Sequence, residues 1–405
     1  MSILRKTVKT DRKLIAFFSK PHTLSLLVLL ISVLIYHAFN MPSNPYKSAL
    51  FSSFLVFNVI GILQFTDSIF KRPIAILWRC VKASSIYYLI ILIILFYFEK
   101  EDIRKALSYF YTELNVPLPQ RSYATHCEIN MRNIINQMDV FVPLHIFGWF
   151  FKTLLLRDRT ICWILSVLFE FAEYSLQHQL DNFAECWWDH WILDVLTCNF
   201  LGIEMGMLFI QKMRIKRYEF VKLCNSLKRY VAIITLIVFI LAAELNVFYL
   251  KFLLYIPTEH NINLYRLCIF VPGGALAVRE AFEYYATSEK IVRGQLWLSM
   301  AIVCVETMVV IKYSRGVFTR PFPQAVVIGW CAGICAIVLG GVFFFLKKVT
   351  LVIKRNFCQN IFVITAFRQC FLVIFLIPID MMVNHRYGRF SHHVIQFISK
   401  NSIFN

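Results

Sequence analysis

The stretch from Phe141 to Asn199, FVPLHIFGWFFKTLLLRDRTICWILSVLFEFAEYSLQHQLDNFAECWWDHWILDVLTCN, decides the fold. It opens with one apolar run, turns at the basic Arg157 and Arg159, and returns through a second run that begins near Thr160. A third run starts near Asp189. Runs of about 17 to 23 residues suit helices crossing a hydrocarbon core of ~30 Å. Within them lie His145, Glu170, Glu173, Glu185, Asp189 and Asp194. Ionisable groups at membrane depth cost roughly 2.5 to 3.5 kcal/mol each, so they are paired or functional.

Working outward, the rest of the chain has the same character. Of its 405 residues 59% are hydrophobic and 16% charged, with mean hydropathy +0.62. Soluble domains hold an apolar share nearer ~45–50%. The expectation is an all-α, polytopic transmembrane helical protein with about ten membrane spans. These are placed at residues 24–40, 49–66, 83–98, 139–156, 160–176, 189–210, 230–247, 264–283, 295–312 and 324–346. The formal charge of +18 sits in short Lys/Arg groups between the runs, which is a topology signal rather than a nucleic-acid surface. With residues 1–23 as a basic cytosolic amino terminus, every even-numbered connection is cytosolic and basic, from Lys71 and Arg72 to Lys347 and Lys348. The connection 99–138 then faces the lumen or exterior. The first apolar run has no small-residue cleavage site and reads as an anchor. Residues 24–348 form one transmembrane domain, and 349–405 a tail whose apolar stretch Asn360–Val383 is an extra span or an interfacial segment. The 12 cysteines are scattered and read mostly as core residues.

At about 1.5 Å per residue, Glu170 and Glu173 lie roughly 15 and 20 Å from the cytosolic turn at Thr160. His145 and Asp194 reach a similar level from the other side. Glu170 and Glu173 are spaced i,i+3 on one face, where like charges need a cation or a proton between them. Glu185 and Asp189 share a face if helical, whereas a regular helix turns Asp194 away from Asp189. A set of carboxylates with no thiolate suits a hard cation, and Ca²⁺ better than Zn²⁺. His145 is the natural general base. A lone intramembrane His is more often structural, and carboxylates also build ion pathways, so an enzyme and a lipid or ion transporter both stay open on composition. Trp187 and Trp188 read as interfacial anchors, Pro272-Gly273-Gly274 as a helix break, and Arg279 with Glu280 as an ion-paired or snorkelling group.

The run Asp139–Met207 resembles the animal-type base-exchange phosphatidylserine synthases, above all in HQLDN followed by FAECWWDHWILDVLTCN. FKRPIAILWR (Phe70–Arg79), VPLPQRSYATHC (Val116–Cys127), LAAELNVFYLKFLLYIPTEH (Leu241–His260) and VETMVVIKY (Val305–Tyr313) are similar to the same family. WWDHWILD and AELNVFYLKF look more like its second, phosphatidylethanolamine-using type. The resemblance implies a Ca²⁺-dependent exchange of L-serine for ethanolamine in the endoplasmic reticulum membrane, with the active site facing the lumen and a homodimer as the family's assembly. It implies His145 as the catalytic residue, Glu170, Glu173 and Asp194 as metal ligands, and Glu185 and Asp189 in the adjoining motif. Asn182 matches a polar position near the headgroup, and Asn199 and Arg279 complete the expected substrate contacts. The chain departs from the pattern at Ile74, where the family has a histidine. It departs again in the short connection Gln211–Arg229 and in the apolar tail beyond Arg355.

Overall fold

In lipid a backbone N–H or C=O must find its partner within the chain, and long runs of Leu, Ile, Val and Phe meet this as helices. The computed structural model describes residues 21–39, 44–65, 74–119, 124, 127–137, 141–220, 226–286 and 294–353, and their regular structure is helical throughout. In chain order the helices are α1 (Pro21–Phe39), α2 (Pro45–Gln64), α3 (Ala75–Tyr97), α4 (Lys100–Phe110) and α5 (Met131–Gln137). They continue with α6 (Phe141–Leu156), α7 (Arg159–Leu176), a π-helix (Asp189–Asn199) running directly into α8 (Phe200–Lys212), α9 (Leu227–Leu254), α10 (Asn261–Ala286), α11 (Gln295–Ser314) and α12 (Gln324–Ile353).

Among the described residues, 7 stretches are long and apolar enough to cross a membrane: α2, α3, the π-helix with α8, α9, α10, α11 and Gln324–Phe343 of α12. Val142–Leu156 in α6 is a shorter apolar helix. Helices α1 and α7 occupy the two remaining positions expected of spans. Helix α7 has 18 residues, against 28 in α9 and 26 in α10.

Local chemistry fixes the ends. Asn44 caps α2, its Oδ1 accepting from the Lys47 amide at 3.1 Å, with Pro45 in the first turn where a missing N–H costs nothing. Asp158 does more, because one carboxylate oxygen caps α7 through Thr160 and Ile161 while the other accepts from the Phe220 amide at 2.6 Å. The segment after α8 is thereby fastened to the α6–α7 turn.

Helices α6 and α8 pack face to face because α8 carries Gly202 and Gly206 one turn apart. A Cβ on Gly202 would meet the Ile146 carbonyl at 2.5 Å, and one on Gly206 the Thr153 Cβ at 2.7 Å. Small residues at this spacing are a standard means of close helix approach in lipid. Elsewhere in the bundle, Arg266 of α10 makes a forked pair with Glu306 of α11, with contacts of 2.9 Å to both oxygens. Tyr88 of α3 donates to the same carboxylate. Glu306 is wholly buried, and the clamp joins three helices.

Several expectations change. The connection 99–138 contains helices α4 and α5. Pro272 lies inside a continuous α10 rather than ending it; Gly273 instead gives room to Ser85, whose Oγ lies 3.0 Å from where a Cβ would stand. Trp187 is exposed as an anchor should be, but Trp188 is 3% exposed and belongs to the interior. The cysteines are not mostly core residues: among the described residues Cys162, Cys186 and Cys198 are buried but Cys268, Cys304, Cys331 and Cys335 are exposed, and Cys127 and Cys186 form a disulfide across 59 positions. Residues 1–20 and the stretch Asn360–Val383 lie outside the described residues.

Candidate active site

Three consecutive segments bring the site together: α6 with His145, α7 with Glu170 and Glu173, and the π-helix with Asp189, His190 and Asp194. The π winding matters here. With i→i+5 bonding, residues four and five apart come round to one side, so the turn expected to point Asp194 away is undone. Glu170, His190 and Asp194 each offer a ligand atom within 4.8 Å of the others.

Glu170 is 1% exposed at its side chain, and its Oε2 lies 3.0 Å from His190 Nδ1. Its Oε1 finds no hydrogen-bond partner among the described residues, and neither does His190 Nε2. Glu185 approaches the same His190 Nδ1 at 3.7 Å. Glu173 stands against Glu170 in the field of Glu185 and Asp194, and Asp194 in that of Glu170, Glu185 and Asp189. At an effective dielectric near ~20, two unit charges about 5 Å apart repel by roughly 3 kcal/mol. Several carboxylates held this close call for a cation or for protons. An orphaned buried carboxylate oxygen among hard oxygen donors fits a divalent cation such as Ca²⁺.

His145 sits one helical turn into α6, 31% exposed at its side chain. Its Nδ1 faces Asp194 Oδ1 at 3.8 Å, and its Nε2 accepts from the Trp149 indole N–H at 3.3 Å. Trp149 is in turn overlaid by the Lys152 ammonium, 3.7 Å from the ring centroid, and Lys152 pairs with Glu244 of α9 at 2.9 Å. A ladder of side chains on one face of α6 thus ends at the histidine.

The structure therefore gathers His145, Glu170, Glu173, Glu185, Asp189 and Asp194 in one region. Asn199 is fully buried at the end of the π-helix; its amide donates to Ser166 at 2.7 Å and its side chain stands beside His145. Asn182 lies in a 3-10 turn, Asp181–Phe183, and its side chain lies outside the described residues. Arg279 is not brought to His145. It pairs with Glu283 at 2.5 Å, beside Tyr218 and not far from Lys216, at the opposite end of the bundle. Glu280 does not pair with it but accepts from the Leu296 amide at 2.9 Å.

Sequence reasoning passed over His190 and Trp149. His190 is four residues from Asp194, a spacing that signals a shared face, but it was hidden beside Asp189 in an aromatic run. Trp149 is four residues from His145 on the same helix.

Fold and site define a class: a multi-span helical membrane protein with a histidine–carboxylate centre at membrane depth. A family profile described as Phosphatidyl serine synthase matches residues 73–226 and 221–314. The chain is 36% identical over 386 residues to Phosphatidylserine synthase 2 of Danio rerio, covering 84% of this chain and 85% of that protein. It is 37% identical over 390 residues to Phosphatidylserine synthase 2 of Homo sapiens, covering 85% and 80%. It is also 32% identical over 364 residues to CDP-diacylglycerol--serine O-phosphatidyltransferase 2 of Oryza sativa subsp. japonica, covering 78% and 86%. The chain belongs to the phosphatidylserine synthase family, and within it resembles the second animal type. It is a transferase acting on phospholipid, and the transporter reading gives way.

Proposed function

We propose that the chain makes phosphatidylserine by Ca²⁺-dependent exchange, L-serine replacing the ethanolamine of phosphatidylethanolamine, in the endoplasmic reticulum membrane with the site open to the lumen. The observation that carries this reading is the meeting of a partly exposed His145 with Glu170, Glu173 and Asp194 in a phosphatidylserine-forming family. Glu170, Glu173 and Asp194 would hold the cation, with Glu185 and Asp189 at the margin. Bound there, it would supply positive charge against the lipid phosphodiester. Two observations support the lumenal side: the basic even-numbered connections, and a disulfide at Cys186, three residues before Asp189, a bond kept in oxidising compartments.

His145 does the proton work. With its proton on Nδ1, toward Asp194, the ring keeps a lone pair on Nε2, where the Trp149 N–H now donates. A serine hydroxyl taking that place gives its proton to Nε2 as its oxygen bonds to phosphorus. The bond from phosphorus to the ethanolamine oxygen breaks, and His145 returns the proton to that oxygen. One phosphodiester replaces another, so no nucleotide is consumed. In a second route His145 Nε2 bonds to phosphorus as the bond to the ethanolamine oxygen breaks and that oxygen takes a proton from water; the serine oxygen then displaces the histidine, its proton returning to the hydroxide left behind. A phosphohistidine trapped in the native chain and lost in His145→Ala would establish the second route, and its absence under good trapping would leave direct attack.

The test uses purified protein in phosphatidylethanolamine vesicles with labelled serine and Ca²⁺ but no CTP. Labelled phosphatidylserine and free ethanolamine should appear together and stop on chelation. Product formed only when CDP-diacylglycerol is supplied would overturn the exchange. Phosphatidylcholine vesicles, run separately, check the headgroup.

A further inference from the structure

His190 is nearly buried at its side chain, with 4% exposure, and lies among the carboxylates rather than behind them. Its Nδ1 faces Glu170 at 3.0 Å and Glu185 at 3.7 Å, and it shares the 4.8 Å cluster with Asp194. Glu170 Oε2 meets His190 Nδ1 and Glu173 stands against the same carboxylate, while Oε1 is buried with no hydrogen-bond partner among the described residues. A carboxylate fastened at one oxygen and open at the other is the arrangement that outer-shell hydrogen bonds create around metal ligands. We infer that His190 is a positioning residue: its Nδ1–H donates to Glu170 Oε2, fixes the carboxylate rotamer, and presents Oε1 to the site. His190 and Asp194, four residues apart, share one side of the π-helix, so that α7 and the π-helix each bring a carboxylate to one centre, with the imidazole between them.

The inference rests on the cation reading above for its main readout. Asparagine can place an amide N–H where Nδ1–H stands, whereas glutamine reaches the Nε2 position instead. Three variants of the full-length protein in detergent, His190→Asn, His190→Gln and His190→Ala, are titrated with Ca²⁺ alone, following the rise in unfolding temperature. Loss of an outer-shell partner costs 10- to 100-fold in metal affinity. The Ca²⁺ needed for half the shift should rise about tenfold or more in the Ala and Gln variants, and stay within about threefold of the native chain in the Asn variant. Equal loss in all three would assign the role to Nε2 and overturn the inference, as would native affinity in all three. Unfolding temperatures without Ca²⁺ separate a misfolded variant from a weakened site, and if His190→Ala does not fold, the Asn and Gln pair decides. No Ca²⁺ shift in the native chain would sink the cation reading instead. The inference about His190 is then read from serine incorporation, with the Asn variant expected well above the Gln and Ala variants, and equal rates overturning it.

Discussion

His145 and Trp149 are one turn apart on α6, and the indole N–H occupies the ring nitrogen that the proposed proton transfer uses. Replacing the base therefore removes a proton-transfer contribution of typically 10²- to 10⁴-fold. His145→Ala should lower labelled-serine incorporation by about that factor while the unfolding temperature stays near native. A different residue carries stability. Glu306 is wholly buried and makes a forked pair with Arg266, so Glu306→Gln leaves a guanidinium unpaired at membrane depth, a change that costs about 3–5 kcal/mol. Replacing both partners with apolar side chains should be less harmful than either single change, and thermal unfolding of the three variants checks it. His145, Glu170, Glu173 and Asp194 were legible in the sequence because a charge inside an apolar run stands out. His190 was not, because it stands beside Asp189 in an aromatic run, and regular helical periodicity turned Asp194 away from Asp189, which only the π winding brings round. The Cys127–Cys186 pair was equally hidden, since spacing does not reveal which cysteines meet.

The helices themselves were readable at nearly every expected position, since apolar length is a strong signal, whereas α4 and α5 were not, being short and polar. What sequence did not give was how α6 and α8 approach. Gly202 has no room for a methyl group, its Cβ position lying 2.5 Å from the Ile146 carbonyl and 2.7 Å from the Trp149 Cβ. Gly202→Ala must push apart the helix of His145 and the helix leading from Asp194. Overpacking of this kind costs roughly 1–3 kcal/mol, and small misplacements of reacting groups can cost 10²-fold in rate. Serine incorporation should fall more steeply than stability does, which paired assays will show. The disulfide acts on the neighbouring element, tethering Cys186 just ahead of the π-helix. Loop closure of this size is worth up to about 4 kcal/mol in a free chain, but here the bilayer already restrains the ends. Cys127→Ser should cost near 2 kcal/mol or less, and a thiol reductant should lower activity of the native chain but leave Cys127→Ser unaffected.

At the scale of the whole molecule, charge is spread along the bundle in a way that separates jobs. Arg279, Lys216 and Glu283 gather at the end opposite His145, and the Arg266–Glu306 clamp holds α3, α10 and α11 together. Part of the site, Glu170 and Glu173, is carried by the 18-residue α7. At about 1.5 Å per residue, the 18 residues of α7 reach about 27 Å, a little less than a hydrocarbon core of ~30 Å. Short helices draw the membrane inward around themselves. On the proposed exchange, thinning of the leaflet beside α7 would bring a lipid phosphodiester toward His145 without lifting it out of its own monolayer. Vesicles of longer acyl chains resist this thinning. Exchange measured across a series of chain lengths should be fastest in thin bilayers and decline as thickness grows, turning membrane thickness into a rate control for the enzyme.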